Sequence, residues 1–283
     1  MNITAETQAI GLLGHPVAHS LSPQMQNAAI AAYGLPYVYL AFDVQPHLLA
    51  QGVMGLRGLG FRGANVTVPF KVEIAEFLDG LSEEASLCGA VNTIVNENGR
   101  LIGYNTDGEG FLKALESVFD WQPRGQHVLL LGAGGAARAI GAALLQAGVE
   151  ELFIYNRTPE RAIGLASLLG RMGHWRTRAV ERPGEAIPYV QLLVNATSVG
   201  MDPKTDAIPL NPELLENHLL VADLVYQPQQ TRLLREAQRH GCRTMGGLHL
   251  LLHQGALSFE RWMHRPAPLE EMKRALHTAI SNG

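Results

Sequence analysis

Cysteine is scarce in this 283-residue chain: Cys88 and Cys242 stand far apart, with no C-x-x-C spacing. That excludes a disulfide framework and reads as two reduced thiols, as expected of a cytoplasmic protein. Long apolar runs are absent too. None reaches the roughly 20 residues a bilayer demands, so no membrane association is expected. Met1 to Gln8 lacks a basic stretch followed by an apolar one, so no signal peptide is expected. There is no excess of positive charge. Lysine and arginine number 22 against 26 acidic residues, a net charge of -4, and nucleic acid is therefore not an expected partner. Internal repeats and low-complexity segments are missing. What remains is a chain with 47% hydrophobic and 17% charged residues, which is globular in composition and long enough for two domains.

The chain from Ile10 to Asp107 alternates strand and helix patterns. Ala9 to Leu13 is a short apolar run stopped by Gly14 and Pro16, a buried strand. In the loop after it, Ser22 is placed to cap a helix with Pro23 at its first position. Tyr37 to Val44 and Gly63 to Val68 read as strands, and Pro69 closes the second. Helices are expected over His47 to Leu56, over Phe70 to Leu78, and from a Ser82 cap to Cys88. Ala90 to Asn96 and Arg100 to Tyr104 form a hairpin-like pair around Asn98-Gly99. The alternation argues for an α/β domain with a mainly parallel sheet. Open parallel sheets bind ligands beyond the carboxyl ends of their strands. Ser20, Thr67, Lys71, Asn92 and Asp107 all fall just past strand-like runs. The polar cluster Gly103-Tyr-Asn-Thr-Asp-Gly-Glu-Gly110 is expected to lie between a substrate domain and a cofactor domain, with Asp107 partnering Lys71.

A second α/β segment follows. Gln126 to Leu131 reads as a strand, and its Val128-Leu-Leu-Leu131 run is apolar throughout, as a strand covered on both faces must be. Gly132-x-Gly134-x-x-Ala137 then opens a helix. Strand before and helix after are the context a dinucleotide-binding turn requires. Gly132, Ala133, Gly134, Gly135 and Ala136 would let the backbone approach a pyrophosphate at a helix N-terminus. The next strand, Glu151 to Tyr155, decides the cofactor. An NAD site places a carboxylate about 20 residues past the glycines to hold the ribose 2′-hydroxyl. Here stand Asn156, Arg157 and Thr158, with Arg161 one turn on. A guanidinium meets a 2′-phosphate bidentately, so NADP is the expected cofactor. Loops after the later strands carry Thr197, Leu224 and Tyr226, and Gly247 opens the last segment. Thr197, Leu224 and Gly247 join the cofactor-binding set.

Gly247 to Gly283 is helical in pattern, with Gln254 a polar residue on an otherwise apolar stretch. His249 and His253 share the i, i+4 spacing of a metal pair. No H-E-x-x-H and no nearby carboxylate accompanies them, so no metal site is expected.

Taken in order, the motifs resemble the shikimate dehydrogenase family across nearly the whole chain. They are His19-Ser-Leu-Ser-Pro23, Asn65-Val-Thr-Val-Pro-Phe-Lys71, Gly89-Ala-Val-Asn-Thr93, Gly103-Tyr-Asn-Thr-Asp-Gly108, Gly132-Ala-Gly-Gly-Ala136, Asn156-Arg-Thr158, Asn195-Ala-Thr-Ser-x-Gly-Met201 and Gly246-Gly-Leu248. The resemblance implies reversible, NADPH-dependent reduction of 3-dehydroshikimate to shikimate, on the route to chorismate and the aromatic amino acids. It implies substrate contacts from Ser20, Ser22, Thr67, Asn92, Tyr226 and Gln254, with Lys71 catalytic and Asp107 beside it. Three regions are expected from the pass along the chain: a substrate domain over 1–107, a Rossmann-type NADP domain over 108–246, and C-terminal helices over 247–283, which the resemblance implies return to the first domain. Monomer and homodimer both remain open. Two departures stand out. Gln26 occupies a place where the family often has histidine, and His249-Leu250 replace the usual glycine and methionine near the nicotinamide.

Hydride transfer to a ketone builds negative charge on oxygen, which a lysine ammonium stabilises and can protonate. An adjacent carboxylate favours the charged lysine. Two other readings are a quinate/shikimate dehydrogenase with relaxed substrate or cofactor use, and a non-catalytic NADP-binding sensor of the same fold. Comparing quinate with shikimate oxidation separates the first. A sensor would have no need to keep both Lys71 and Asp107.

Overall fold

In the computed structural model, which describes residues 3–173 and 175–281, two compact units form. One comprises residues 1–110 and 251–283, the other 111–250.

The first unit is built on β1 (Gln8–Gly14), β2 (Tyr37–Asp43), β3 (Gly63–Val66), β4 (Gly80–Leu81), β5 (Thr93–Glu97) and β6 (Arg100–Tyr104). Their order in the sheet is β2-β1-β3-β5-β6-β4. The β1–β2, β1–β3 and β4–β6 pairs are parallel, and β5 runs antiparallel to both neighbours. Because β5 is reversed, its N-terminus reaches the edge where β1, β3 and β6 end. Around the sheet lie α1 (Ser22–Ala32), α2 (Leu49–Gly58) and α3 (Glu83–Cys88). Leu13, Val53, Val66, Phe70, Ile74 and Ile94 share one buried cluster.

Two local expectations need correction. Ser22 does not cap α1. It is the first helical residue, Leu21 precedes it in helical backbone geometry, and no side chain caps this end. The Ser20 hydroxyl instead accepts the Ser22 N–H at 3.2 Å. Phe70 to Leu78 is not an α-helix, and only a 3₁₀ segment forms over Glu73–Phe77. The Lys71 carbonyl is taken by the Val91 N–H at 2.6 Å, which removes an acceptor the helix would need. Ser82 does cap α3, accepting the Ala85 N–H, and Gly89 ends that helix in left-handed geometry.

The second unit is an all-parallel sheet of β7 (His127–Leu131), β8 (Glu151–Tyr155), β9 (Arg176–Ala179), β10 (Leu192–Asn195), β11 (Leu220–Asp223) and β12 (Arg243–Met245). The order is β12-β11-β10-β7-β8-β9, so the winding direction reverses between β7 and β10. The helices of this unit include α5 (Gly135–Gln146), α6 (Pro159–Gly173) and α7 (Arg232–Arg239); α4 (Asp107–Phe119) leads into it. β4, β9 and β12 escape a reading by hydrophobic pattern. They are two to four residues long, and β9, Arg-Thr-Arg-Ala, is a charged edge strand.

The division between units falls inside α4 after Gly110 and inside α8 (Gly247–Met263) after Leu250. α9 (Leu269–Ser281) packs against α1, and the Tyr33 and Phe259 rings stack at 6.1 Å.

Candidate active site

The edge where β1, β3 and β6 end and β5 begins gathers the polar residues of the first unit. The register sets this up. Leu13 pairs with Val66, Asn65 with Thr93, and Thr93 with Tyr104. The loops after β1 and β3 therefore run side by side, joined by Thr67 N–H to Leu13 and His15 N–H to Val68.

Lys71 Nζ donates to Asp107 Oδ2 at 2.5 Å, with only 16% of the lysine side chain and 4% of the aspartate exposed. Asp107 begins α4, where free N–H groups favour a carboxylate. Its own N–H is held by Asn105 Oδ1 at 3.0 Å, and Asn105 is tied to the Ala90 carbonyl. The second carboxylate oxygen accepts from Asn92 Nδ2 at 2.8 Å. Asn92 also reaches Gln254 Oε1 at 3.3 Å. Lys71, Asn92, Asp107 and Gln254 therefore form one connected cluster. Thr67 is half-buried just past β3, Ser20 is half-buried and Ser22 buried beyond β1. Ser20 and Thr67 lie on loops leaving the same edge and Ser22 opens α1 beyond it, and among the described residues their side chains make no hydrogen bond to the cluster.

Beneath the cluster lies a buried polar layer that motif reading did not single out. Asn65 donates to the Asn92 carbonyl at 3.0 Å, to Thr93 Oγ1 at 3.1 Å and to Ser258 Oγ at 3.0 Å. Tyr39 donates its hydroxyl to Asn65 Oδ1 at 2.8 Å. The Thr106 N–H and the Thr93 hydroxyl both donate to Asn92 Oδ1. Ser258 stands 2.8 Å from Thr93 Oγ1 and donates to the Gln254 carbonyl one turn back. The available signal was polar residues inside otherwise apolar elements: Asn65 in a strand buried at every position, and Ser258 four residues past Gln254. Gly110 matters here too. A Cβ on it would sit 2.7 Å from the Gln254 backbone nitrogen, so glycine is what lets the first turn of α4 and α8 approach. Gln26 is fully buried on α1 and donates to the Gly255 carbonyl at 2.8 Å.

In the second unit, Gly132 follows β7 with φ of +114°, a conformation that favours glycine. A Cβ there would meet the Ala196 carbonyl at 3.0 Å, across the reversal point of the sheet. Gly134 precedes α5, no side chain caps that helix, and a Cβ on Gly134 would project into open space. The first-turn N–H groups of α5 are thus left for an incoming anion. At the end of β8 stand half-buried Asn156, bound to the Thr158 carbonyl, then exposed Arg157, Thr158 and Arg161. These residues fit a phosphorylated dinucleotide. Thr197 is locked by its hydroxyl to Asn195 Oδ1 at 2.6 Å. Leu224 and Tyr226 are half-buried, and Gly247 is buried where a Cβ would clash with the Leu224 carbonyl. Asn195 also donates to Asp223 Oδ1, and Thr231 to Asp223 Oδ2 at 2.6 Å. Burial pushes the Asp223 carboxyl up to about 6, against the lowering effect of bonds from Thr231, Val225 and Asn195. Cys88, buried in the first unit, is pushed up to about 11 chiefly by desolvation, an unreactive thiol.

A doubly wound parallel sheet with a glycine turn at its reversal point, joined in one chain to an α/β unit bearing a buried lysine–carboxylate pair, defines a dinucleotide-binding α/β protein. Three family models match the chain: the shikimate dehydrogenase substrate binding domain over residues 12–94, shikimate / quinate 5-dehydrogenase over 113–201, and the shikimate 5'-dehydrogenase C-terminal domain over 247–277. Shikimate dehydrogenase (NADP(+)) of Moorella thermoacetica is 49% identical, across 99% of this chain and 96% of that protein. A crystal structure of shikimate dehydrogenase in complex with NADP+ superposes with a TM-score of 0.92 at 40% identity, covering 99% of this chain and 98% of that one. The Thermus thermophilus shikimate 5-dehydrogenase, solved with NADP(H) and shikimate, gives a TM-score of 0.88 at 42% identity, covering 96% and 100%. This chain belongs to the shikimate dehydrogenase family.

Proposed function

We propose that this protein catalyses the reversible, NADPH-dependent reduction of 3-dehydroshikimate to shikimate. The observation that carries the reading is the sequestered Lys71–Asp107 pair at the sheet edge. Bound NADPH supplies the hydride. As the carbonyl carbon accepts it, negative charge grows on the carbonyl oxygen, and the Lys71 ammonium offsets that charge and gives up a proton to it. An ammonium has three N–H donors. One is engaged by Asp107, which leaves two for substrate. Asp107 keeps the lysine aimed through Oδ2, and Asn92 keeps Asp107 aimed through its second oxygen. In the oxidative direction the same lysine takes the hydroxyl proton.

The substrate is a ring bearing several hydroxyls, which calls for neutral donors and acceptors on several sides. Ser20, Ser22, Thr67, Asn92, Tyr226 and Gln254 have that chemistry. On the cofactor side, the glycines at 132, 134 and 135 with the start of α5 would hold the pyrophosphate. Arg157 with Asn156, Thr158 and Arg161 would hold the 2′-phosphate, and Thr197, Leu224 and Gly247 would border the crevice. The preference for NADP rests on the absence of a carboxylate at position 156 and the guanidinium at 157.

The test is NADP+ reduction by the purified protein with shikimate, and with quinate, NAD+ in place of NADP+, and Lys71→Ala as comparators. Turnover with shikimate and NADP+ that falls away in all three comparators supports the reading. Equal turnover in Lys71→Ala, or none in the wild-type protein, overturns it.

A further inference from the structure

A cavity of about 530 Å³ opens at the edge of the first sheet opposite Lys71, where β1, β2 and β3 begin and β5 ends. This volume is in the range of small-molecule sites. Its cationic lining is Arg57, Arg62 and Arg265, beside the His264 imidazole, with no aspartate or glutamate in the wall. Arg57 has a carboxylate partner, Asp79, at 2.9 Å.

Arg62 does not. It is half-buried and fixed by three neutral acceptors: the Trp262 carbonyl at 2.8 Å, the Asn96 carbonyl at 3.3 Å and His264 Nε2 at 3.1 Å. Among the described residues no carboxylate pairs with it or with Arg265. The bland account is that Arg62 simply closes the C-terminal end of α8. That uses the Nε–H and leaves the charge uncompensated. Three of five guanidinium N–H donors are spent, and two remain. Arg265 is exposed, its guanidinium resting 5.3 Å from the Tyr33 ring centre, a contact from which it can swing. Leu35, Tyr37 and Phe61 supply apolar wall, while Asn98 and Gln8 add amides. Bare phosphate would leave most of this volume and the apolar wall unused. A smaller neighbouring cavity shares Arg62 and His264 and contains Glu97 and Glu260, so it carries mixed charge and suits an anion less well.

We propose that the 530 Å³ cavity binds a small organic phosphate, with the phosphoryl group held by Arg62 and Arg265 beside His264 and the organic part against Tyr37 and Phe61. The proposal is independent of the proposed reaction, because every residue it uses lies at the edge away from Lys71.

The experiment is calorimetric titration of the intact protein with ribose 5-phosphate, and separately with inorganic phosphate. Saturating NADP+ and shikimate are present so that sites for those ligands are occupied. Expected is saturable binding of ribose 5-phosphate, weaker binding of inorganic phosphate, and a loss of about tenfold in affinity in Arg265→Gln, the size of one charge-assisted contact. Arg62→Gln should lose at least as much. Arg157→Gln should bind as wild type does. Arg265 is exposed, so its variant should fold and keep its turnover even if Arg62→Gln does not. Absence of saturable binding, equal affinity for the two probes, or affinity unchanged in Arg265→Gln overturns the proposal.

Discussion

Lys71 Nζ and Asp107 Oδ2 stand 2.5 Å apart, although 36 residues separate them in the chain. Both are largely withdrawn from water, and the aspartate is also bound by Asn92. A surface pair would do little; a sequestered pair fixes the position of a lysine nitrogen that a reacting oxygen can use. Lys71→Ala is expected to lower kcat roughly 10²–10⁴-fold, the usual worth of a positioned acid–base group, with a much smaller change in KM for shikimate. Asp107→Asn should also lower kcat more than KM. Steady-state kinetics of shikimate oxidation check both; a loss confined to KM would refute the assigned roles.

The layer beneath that pair should behave as a support. Ser258→Ala removes one acceptor from Asn65 and one partner from Thr93, while the Asn65 amide keeps the Asn92 carbonyl and Thr93 Oγ1 and the Thr93 hydroxyl keeps Asn92 Oδ1. The expected loss is about 0.5–1.5 kcal/mol of stability, the net worth of a hydrogen bond, read from denaturant midpoints, with a fall in kcat as Asn92 loosens. Unaltered kcat at reduced stability would make the layer purely structural.

Two glycines should fail in opposite ways. In Gly110→Ala the new methyl meets the backbone of Gln254, and neither helix can yield cheaply. About 1–3 kcal/mol of destabilisation and a raised KM for shikimate are expected. In Gly134→Ala the methyl meets nothing, so stability should hold. It would occupy the space where a pyrophosphate must approach, and KM for NADP+ should rise. Thermal melts paired with kinetics distinguish the two.

Arg157 should set cofactor choice. It is exposed at the end of β8, and Arg157→Gln removes its charge there. A charge-assisted bond is worth about 1.5–3 kcal/mol, so KM for NADP+ should rise roughly 10–100-fold while kinetics with NAD+ change little. A parallel rise for both cofactors would count against a 2′-phosphate contact.

Asp223 should leave a mark on the pH dependence of stability. Its folded-state value, about 6, lies above the ordinary 3.8 of an aspartate. The folded protein therefore holds this proton more tightly than the unfolded chain does. On this group's account, stability is highest below pH 4 and falls as pH rises from about 4 to about 6, by up to roughly 3 kcal/mol. Asp223→Asn keeps an acceptor for Asn195 and Val225 and turns a donor toward Thr231. The difference in unfolding free energy between variant and wild type should therefore change across that window and be flat above it. A difference constant from pH 4 to pH 8 would contradict the assignment.

The sequence by itself determined the α/β class, the parallel strand at β7 with its glycine turn, and the identity of most chemically loaded side chains. Those signals are local: a strand covered on both faces is apolar throughout, and a turn that must reach positive φ, as at Gly132, takes glycine. Hydrophobic pattern could not reveal β9 or β12, because short polar edge strands owe their existence to a neighbour's backbone rather than to their own side chains. Nor could it show that the 70–78 stretch forgoes an α-helix once Val91 claims the Lys71 carbonyl. Only the tertiary structure decided what lies behind Lys71 and Asp107. The Tyr39–Asn65–Ser258–Thr93 layer joins residues up to 219 positions apart, from Tyr39 to Ser258, and cooperates only after β5 reverses in the sheet and α8 returns to the first unit. Its members are ordinary polar residues whose hydrogen bonds become energetically decisive when burial removes water as the alternative partner.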